Sequence, residues 1–304
     1  MQSLKRGFDF LKKSWQMAFA DRDLIKPSIY ALIAGFIVTV IGSVPVILAF
    51  VLFGDTLFGK VIGYILGALL IFVQYTVTYI FSAMTIHLIF GYLSEGDGRM
   101  DRAWAVVRRD FLDILSLAAA STGVSLLKSM IRGKGNRAGR RAAAGLIDTI
   151  WTEAAYLVLP AMVIEDISLR EGLRRATHIV RENLLLVGVS TVGVRAITGI
   201  IGFLLGGTGV ALGLGVSFGL ISLTNGLPVA VFTGIGLGVL IAGSFILVAM
   251  IIASYTTTAY HACLYIWARD VEKAQQGGLL PQSVPAPAPL ATVLQSSVER
   301  AWAG

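Results

Sequence analysis

Arg195 is the residue whose place in the sequence points most directly to chemistry. It lies in an apolar stretch, residues 184–208, that holds no other charged residue. An arginine at the centre of a membrane helix costs about 2.5–3.5 kcal/mol on insertion scales, so we expect it to face the protein interior and pair with an acid. Glu153 and Asp148 are the candidate partners. This grouping predicts either an intramembrane anion or proton site, or a structural ion pair.

Two histidines are weaker candidates for a site. His87 and His261 lie toward the ends of two long apolar runs, each followed by aromatic residues. Imidazole titrates near neutral pH, so one interpretation is a proton relay, and the other is anchoring at the membrane interface. The single cysteine, Cys263, excludes an intrachain disulfide and a cysteine-rich metal site. The spacing of His, Ser, Asp and Glu residues suggests no catalytic grouping, so we predict no catalytic, cofactor-binding or metal-binding residue.

The composition determines which elements must position these residues. Of the 304 residues, 56% are hydrophobic and 14% are charged, with a mean hydropathy of +0.77. Soluble domains carry roughly 25% charged residues, so lipid must solvate much of this chain. The net charge is +7. Because the basic residues stand in short segments between apolar runs, we predict contact with anionic lipid headgroups and no nucleic-acid binding.

The apolar runs predict an all-α polytopic helical membrane bundle of about six transmembrane helices. Four of the six spans are clear. The other two, 112–130 and 143–165, together form an ambiguous hairpin. Residues 27–272 then form the bundle, and the sparsely charged stretch 209–228 is a loop on the outer side. The predicted spans are 28–53, 61–93, 112–130, 143–165, 184–208 and 229–267.

The hairpin is ambiguous because its charge conflicts with the positive-inside rule. Ten basic and three acidic residues between Arg99 and Arg141 give this region a net charge of +7. If 112–130 and 143–165 both cross, the basic segment between Arg132 and Arg141 lies outside. If neither crosses, the two form a re-entrant hairpin, which must be buried in protein or line a cavity.

Two segments alternate basic and apolar residues at helical spacing, 1–26 and 166–182. In the first, Leu4, Phe8, Leu11 and Trp15 form one stripe. This pattern predicts a helix in the membrane interface, and the alternative is a helix packed on the protein itself. The Pro- and Ala-rich tail, residues 273–304, is predicted to be disordered.

Several glycine pairs have the spacing that lets membrane helices approach closely. These are Gly63 with Gly67, Gly202 with Gly206, and Gly234 with Gly238.

The sequence resembles an uncharacterised prokaryotic family of multi-pass membrane proteins, a domain of unknown function. It is more distantly similar to the membrane domain of glycerophosphodiester phosphodiesterases. The resemblance covers about residues 5–270 and implies a six-helix plan without an activity. Where relatives often have serine after an arginine pair, this chain has Ala176 and Thr177. The residues that carry the resemblance are Ser14, Trp15, Asp21, Asp23, Lys26, Pro27, Pro160, Glu165, the stretch 170–183, Tyr260, Ala262, Leu264 and Tyr265.

These observations predict a non-enzymatic accessory or scaffold component of the plasma membrane, with both termini cytoplasmic. A homo-oligomeric or other membrane-protein partner is left open. The first alternative is a small-molecule or ion permease with a site near Arg195. The second is a membrane-embedded enzyme, which a catalytic cluster would have to support.

Overall fold

The computed structural model is helical throughout the part of the chain that it describes, which is residues 2–54, 56–132, 138–182, 184–224, 227–280 and 283–291. Side chains are described for 5–54, 56–131, 139, 141–179, 194–224, 227–280 and 283–291. The helices within these ranges are α1 Gln2–Ala20, α2 Lys26–Phe53, α3 Leu57–Glu95, α4 Met100–Arg109, α5 Phe111–Arg132, α6 Ala138–Glu165, α7 Leu169–Glu182, α8 Leu184–Leu223 and α9 Pro228–Gln276.

Six of the described helices are long and apolar enough to cross a membrane: α2, α3, α5, α6, α8 and α9. This confirms the predicted all-α polytopic bundle. The ambiguous hairpin consists of two continuous helices, and the 22 residues of α5 alone extend about 33 Å. Each arm therefore has the length of a full crossing. Most of the basic segment that joins the arms lies outside the described residues.

The protein core lies toward one end of the bundle. There the second half of α3, α5, α6 and the second half of α9 bury a contiguous set of side chains, including Met84, Leu157 and Tyr260. The opposite halves of the long hairpins expose large apolar side chains instead, such as Phe203 and Phe232, each 79% exposed. These side chains must contact hydrocarbon, because exposing so much apolar surface to water has an unfavourable free energy.

The N-terminal helix α1 packs on the protein itself. It contacts α8 and α9, and its buried positions include Phe10, Ser14 and Met17. The Trp15 Nε1 atom donates to Thr256 Oγ1 at 3.2 Å. Phe8, which the sequence placed on the apolar stripe, is 53% exposed. One face of α1 therefore packs on the protein, whereas Phe8 and Phe19 stay exposed, so contact of this helix with the membrane interface stays a prediction.

The predicted loop 209–228 is wrong, because α8 continues as a helix to Leu223. The reason is a close contact with α9. A Cβ atom on Gly238 would lie 2.6 Å from the carbonyl oxygen of Gly213, and the Ser217 hydroxyl lies 2.8 Å from the carbonyl oxygen of Gly234. Glycine permits this approach, and the packing offsets its low intrinsic helix propensity. The Gly234 and Gly238 pair thus faces the neighbouring helix, whereas Gly202 and Gly206 have open space.

We predict that Gly238→Ala lowers the free energy of unfolding by about 1–3 kcal/mol, because the added methyl group forces α8 and α9 apart. The matched control is Gly236→Ala, where a Cβ atom meets nothing within 4 Å. That change should be neutral or stabilising by up to about 1 kcal/mol. Denaturant titration in detergent, followed by circular dichroism, measures both variants. Equal stability of the two would contradict a close glycine contact.

The C-terminal tail differs from its predicted disorder over the part that the structure describes. Helix α9 extends to Gln276, and farther on Val284 and Ala286 pack against the core while Leu290 is fully buried. Apolar residues between the prolines pack on the protein core, and amino-acid composition alone does not predict such a contact. Residues 292–304 lie outside the described part of the chain.

Candidate functional site

Three predicted polar residues from three helices meet at one point in the bundle. Glu153 comes from α6, Arg195 from α8 and His261 from α9. Glu153 lies about 18 Å along α6 from Glu165, and His261 lies about 16 Å along α9 from Glu272. Since Glu165 and Glu272 both bind Arg175 and so mark one level, the three side chains lie at a similar depth, about halfway through the α6 span.

The carboxylate of Glu153 uses both oxygens in this cluster. Oε1 forms an ion pair with Nη2 of Arg195, and Oε2 lies 3.2 Å from Nε2 of His261. The other ring nitrogen of His261, Nδ1, lies 2.8 Å from the carbonyl oxygen of Thr257, one turn earlier in α9. The His261 side chain is 3% exposed and the Glu153 side chain 24%. We call Glu153, Arg195 and His261 the proton cluster.

The hydrogen bonds of His261 determine how many protons this arrangement holds. A backbone carbonyl can only accept, so Nδ1 must carry a hydrogen to bond with Thr257. If Nε2 carried none, its lone pair would face a carboxylate oxygen of Glu153 at 3.2 Å. Both contacts can be hydrogen bonds at once if one further proton is present, either on the imidazole or on the carboxyl group. Because arginine stays charged, the cluster in that state carries a net charge of +1, whereas a neutral imidazole can donate to Thr257 or to Glu153 but not to both.

A cavity adjoins the proton cluster through Tyr156. The Tyr156 ring stacks on the His261 ring with centroids 4.6 Å apart and planes 14° from parallel. The same tyrosine lines a cavity of about 130 Å³ between α3, α5 and α6. Several hydroxyl-bearing side chains face this space, among them Ser125 and Thr152. The cluster and the cavity thus share one aromatic wall.

Two of the predicted site residues lie apart from the cluster. Asp148, the alternative partner for Arg195, instead binds Lys128 with a distance of 2.5 Å between Oδ1 and Nζ, and it lines the cavity. Asp148 is more than a helical turn closer to the start of α6 than Glu153, so Arg195 does not reach it. His87 lies on α3 near the end of the bundle that holds Arg102 and Arg109, away from His261.

A second polar cluster joins α6, α7 and α9 at the end of the bundle. Arg175 forms ion pairs with Glu165 at 3.3 Å and with Glu272. Burial opposes the charge of Arg175, but the neighbouring Glu272, Tyr265 and Glu165 outweigh that effect and raise the pKa of its guanidinium group. This side chain is therefore a permanent cation that clamps three helices, and it has no proton to exchange.

Sequence reasoning missed Tyr156, Lys128 and the cavity. One signal for the cavity was present, since Asp148, Thr152 and Tyr156 recur every four residues on one face of α6. No such signal pointed to the partner of His261, which is 108 residues away in the chain. Within the described residues, no group of three His, Cys, Asp or Glu side chains is placed to hold a metal ion.

Comparison with known proteins identifies one family. No curated protein and no solved structure matches the chain. A family model matches residues 61–275, a range that begins inside α3 and contains the whole proton cluster. The resemblance to a domain of unknown function is thereby confirmed, whereas likeness to the membrane domain of glycerophosphodiester phosphodiesterases stays a prediction. The chain belongs to DUF6159, a family of unknown function.

Proposed function

We propose that this protein is a proton-linked permease for a small solute, with Glu153, Arg195 and His261 as its proton site. The observation that carries the proposal is the contact of Glu153 with both Arg195 and His261, beside a cavity. A simple structural ion pair needs one acid and one base. Here a third titratable group, His261, adjoins the pair in apolar helices and beside a cavity, and intramembrane groups of this kind commonly mark proton or substrate paths.

Loss of the proton would change how the helices are held together. The cluster joins α6, which belongs to the hairpin of α5 and α6, to the hairpin of α8 and α9. With the proton present, Glu153 binds both Arg195 and His261. Without it, a neutral imidazole can donate either to Glu153 or to the carbonyl oxygen of Thr257, so one of these two hydrogen bonds is lost. A proton that binds one arrangement of the hairpins better than another shifts the equilibrium between them.

The test measures access to the cavity without knowledge of the solute. In a Cys263→Ala background, Ser125→Cys places a thiol at the cavity, and an impermeant maleimide is added to vesicles of either orientation at pH 6 and pH 8. Ser129→Cys, at an exposed position one helical turn later in α5, corrects for the intrinsic pH dependence of the thiol. We expect the corrected rate at residue 125 to change at least about threefold from one side, since the proton shifts the population of open cavities.

The double variant Glu153→Gln/Arg195→Gln is the matched control, because it removes the proton site and the unpaired charge together. In this variant the corrected labelling rate should become independent of pH. A native protein whose corrected labelling at residue 125 is the same at both pH values and from one side only contradicts the permease. That result favours the alternative of an accessory or scaffold component in which the cluster is a structural pair.

We propose that the chain crosses the plasma membrane six times, with both termini in the cytoplasm and no enzymatic activity. Support comes from the full-length arms α5 and α6 and from the short basic helices α4 and α7, whose exposed arginines suit anionic headgroups. Gly139→Cys, at an exposed position, tests the topology. Labelling of intact cells supports two crossings by α5 and α6, and protection until lysis supports a re-entrant hairpin. Self-association and the phosphodiesterase likeness carry no weight in this proposal.

A further inference from the structure

The cavity between α3, α5 and α6 has the size of a small organic ligand. Its volume is about 130 Å³, and an engineered apolar cavity of about 150 Å³ in another protein accepts benzene. A ligand of roughly five to seven non-hydrogen atoms would therefore fill it. The proton cluster lies behind Tyr156 and leaves this space free for a solute.

Aromatic rings form much of the cavity wall, and hydrogen bonds hold them in place. The rings of Tyr75 and Tyr79 stack with centroids 5.8 Å apart. Tyr79 Oη lies 2.7 Å from Ser121 Oγ, and the indole Nε1 of Trp151 donates to the same oxygen at 2.9 Å. Together with Tyr156, four aromatic side chains line the space. A cage of such rings attracts a cation through the negative faces of the π systems.

The charge of the lining also suits a cation. Asp148 contributes a carboxylate, and no lysine, arginine or histidine is among the described residues that line the cavity. The hydroxyl groups of Ser82, Ser125 and Thr152 also border the space. Their oxygens can direct lone pairs toward a positive charge or accept a hydrogen bond from a ligand. An anion would meet the carboxylate without a basic partner among the described lining residues.

Lys128 shows that this carboxylate already holds an ammonium group. Its Nζ lies 2.5 Å from Asp148 Oδ1, outside the lining residues, and its side chain is 19% exposed. The residue lies near the end of α5, so its flexible four-carbon stem can carry the charge out to the membrane surface. A cation in the cavity would take over Asp148 and release Lys128.

We propose that the cavity binds a compact organic ammonium ion, of about the size of choline, in competition with Lys128. That the protein also transports this ligand across the membrane rests on the proposed function. Binding itself stands on the cavity, its aromatic wall and its carboxylate, and it is measured separately from the cavity-access experiment.

Isothermal titration of the purified full-length protein in detergent, with choline as the probe, tests the proposal. Its neutral isostere 3,3-dimethylbutan-1-ol has the same shape without the charge. We expect the isostere to bind at least about tenfold more weakly, because it loses both the attraction to the rings and the attraction to Asp148. Equal binding of the two ligands would overturn the proposal in favour of a neutral solute.

Two variants give opposite expected results. Lys128→Gln removes the competitor and should tighten choline binding about threefold to tenfold, whereas Asp148→Asn should weaken it at least about tenfold. Trp151→Leu should also weaken it. Unchanged melting temperatures serve as the folding control. Weaker binding in Lys128→Gln, native binding in Asp148→Asn, or no choline binding by either the native protein or Lys128→Gln overturns the inference. The pH-dependent labelling of Ser125→Cys would still stand in each case, so the failures are distinguishable.

Discussion

Glu153→Gln should lower the free energy of unfolding by about 3 kcal/mol, because it leaves Arg195 charged and unpaired among apolar helices. Arg195→Gln should cost less. In that variant Glu153 keeps His261, whose Nε2 atom lies 3.2 Å from Oε2 and can donate a hydrogen bond to the carboxylate. The two variants lose different amounts of stability because His261 contacts Glu153. An isolated pair of Glu153 and Arg195 would show no such difference.

The double variant Glu153→Gln/Arg195→Gln should recover most of that loss and unfold within about 1 kcal/mol of the native protein, since neither charge is left alone. The four proteins form a double-mutant cycle, measured by denaturant titration in detergent. If the two single losses add up in the double variant, the ion pair contributes no coupling, and the proton cluster would not be an energetic unit.

Phe10→Ala should detach α1 from the bundle. The side chain is fully buried, and its ring meets Tyr260 edge-on with centroids 5.4 Å apart. Removing a buried phenylalanine side chain costs about 3–5 kcal/mol, and this loss falls on the packing of α1 against α9, so the helix detaches more often. We expect trypsin to cleave at Lys12 and Lys13 more than tenfold faster in this variant, while the melting temperature of the rest of the protein falls less.

Phe8→Ala is the matched control for this experiment, because Phe8 lies on the same helix and is 53% exposed. Its cleavage rate should stay close to that of the native protein. The opposite pattern, with Phe8→Ala cleaved rapidly and Phe10→Ala protected, would support a helix held by the membrane interface instead of by α8 and α9.

The positions of the spans could be predicted closely, but the length of α8 could not. The runs 28–53 and 61–93 correspond to α2 and α3 within a few residues. The error came at 209–228, where a glycine-rich stretch is helical because it packs closely on α9. Intrinsic propensity favours a loop there, and only the neighbouring helix reverses the outcome.

The candidate site divides in the same way. Arg195 stood out because a single charge in an apolar span must find a partner. The choice of Glu153 over Asp148 depends on which turn of α6 meets α8, and the inclusion of His261 depends on how α9 lies against both. Residue spacing along one helix carries no information about either contact.

By itself, the sequence determined that the chain is a helical membrane protein with an arginine that requires an acid. Both follow from the free energy of transferring each residue into hydrocarbon, a sum over local composition that needs no knowledge of packing. Only the tertiary structure decided that Glu153 contacts both Arg195 and His261, that Asp148 lines a cavity, and that α1 buries Phe10 against α9. Those outcomes depend on which helix faces meet, and the sequence encodes them only through the packing of the whole bundle.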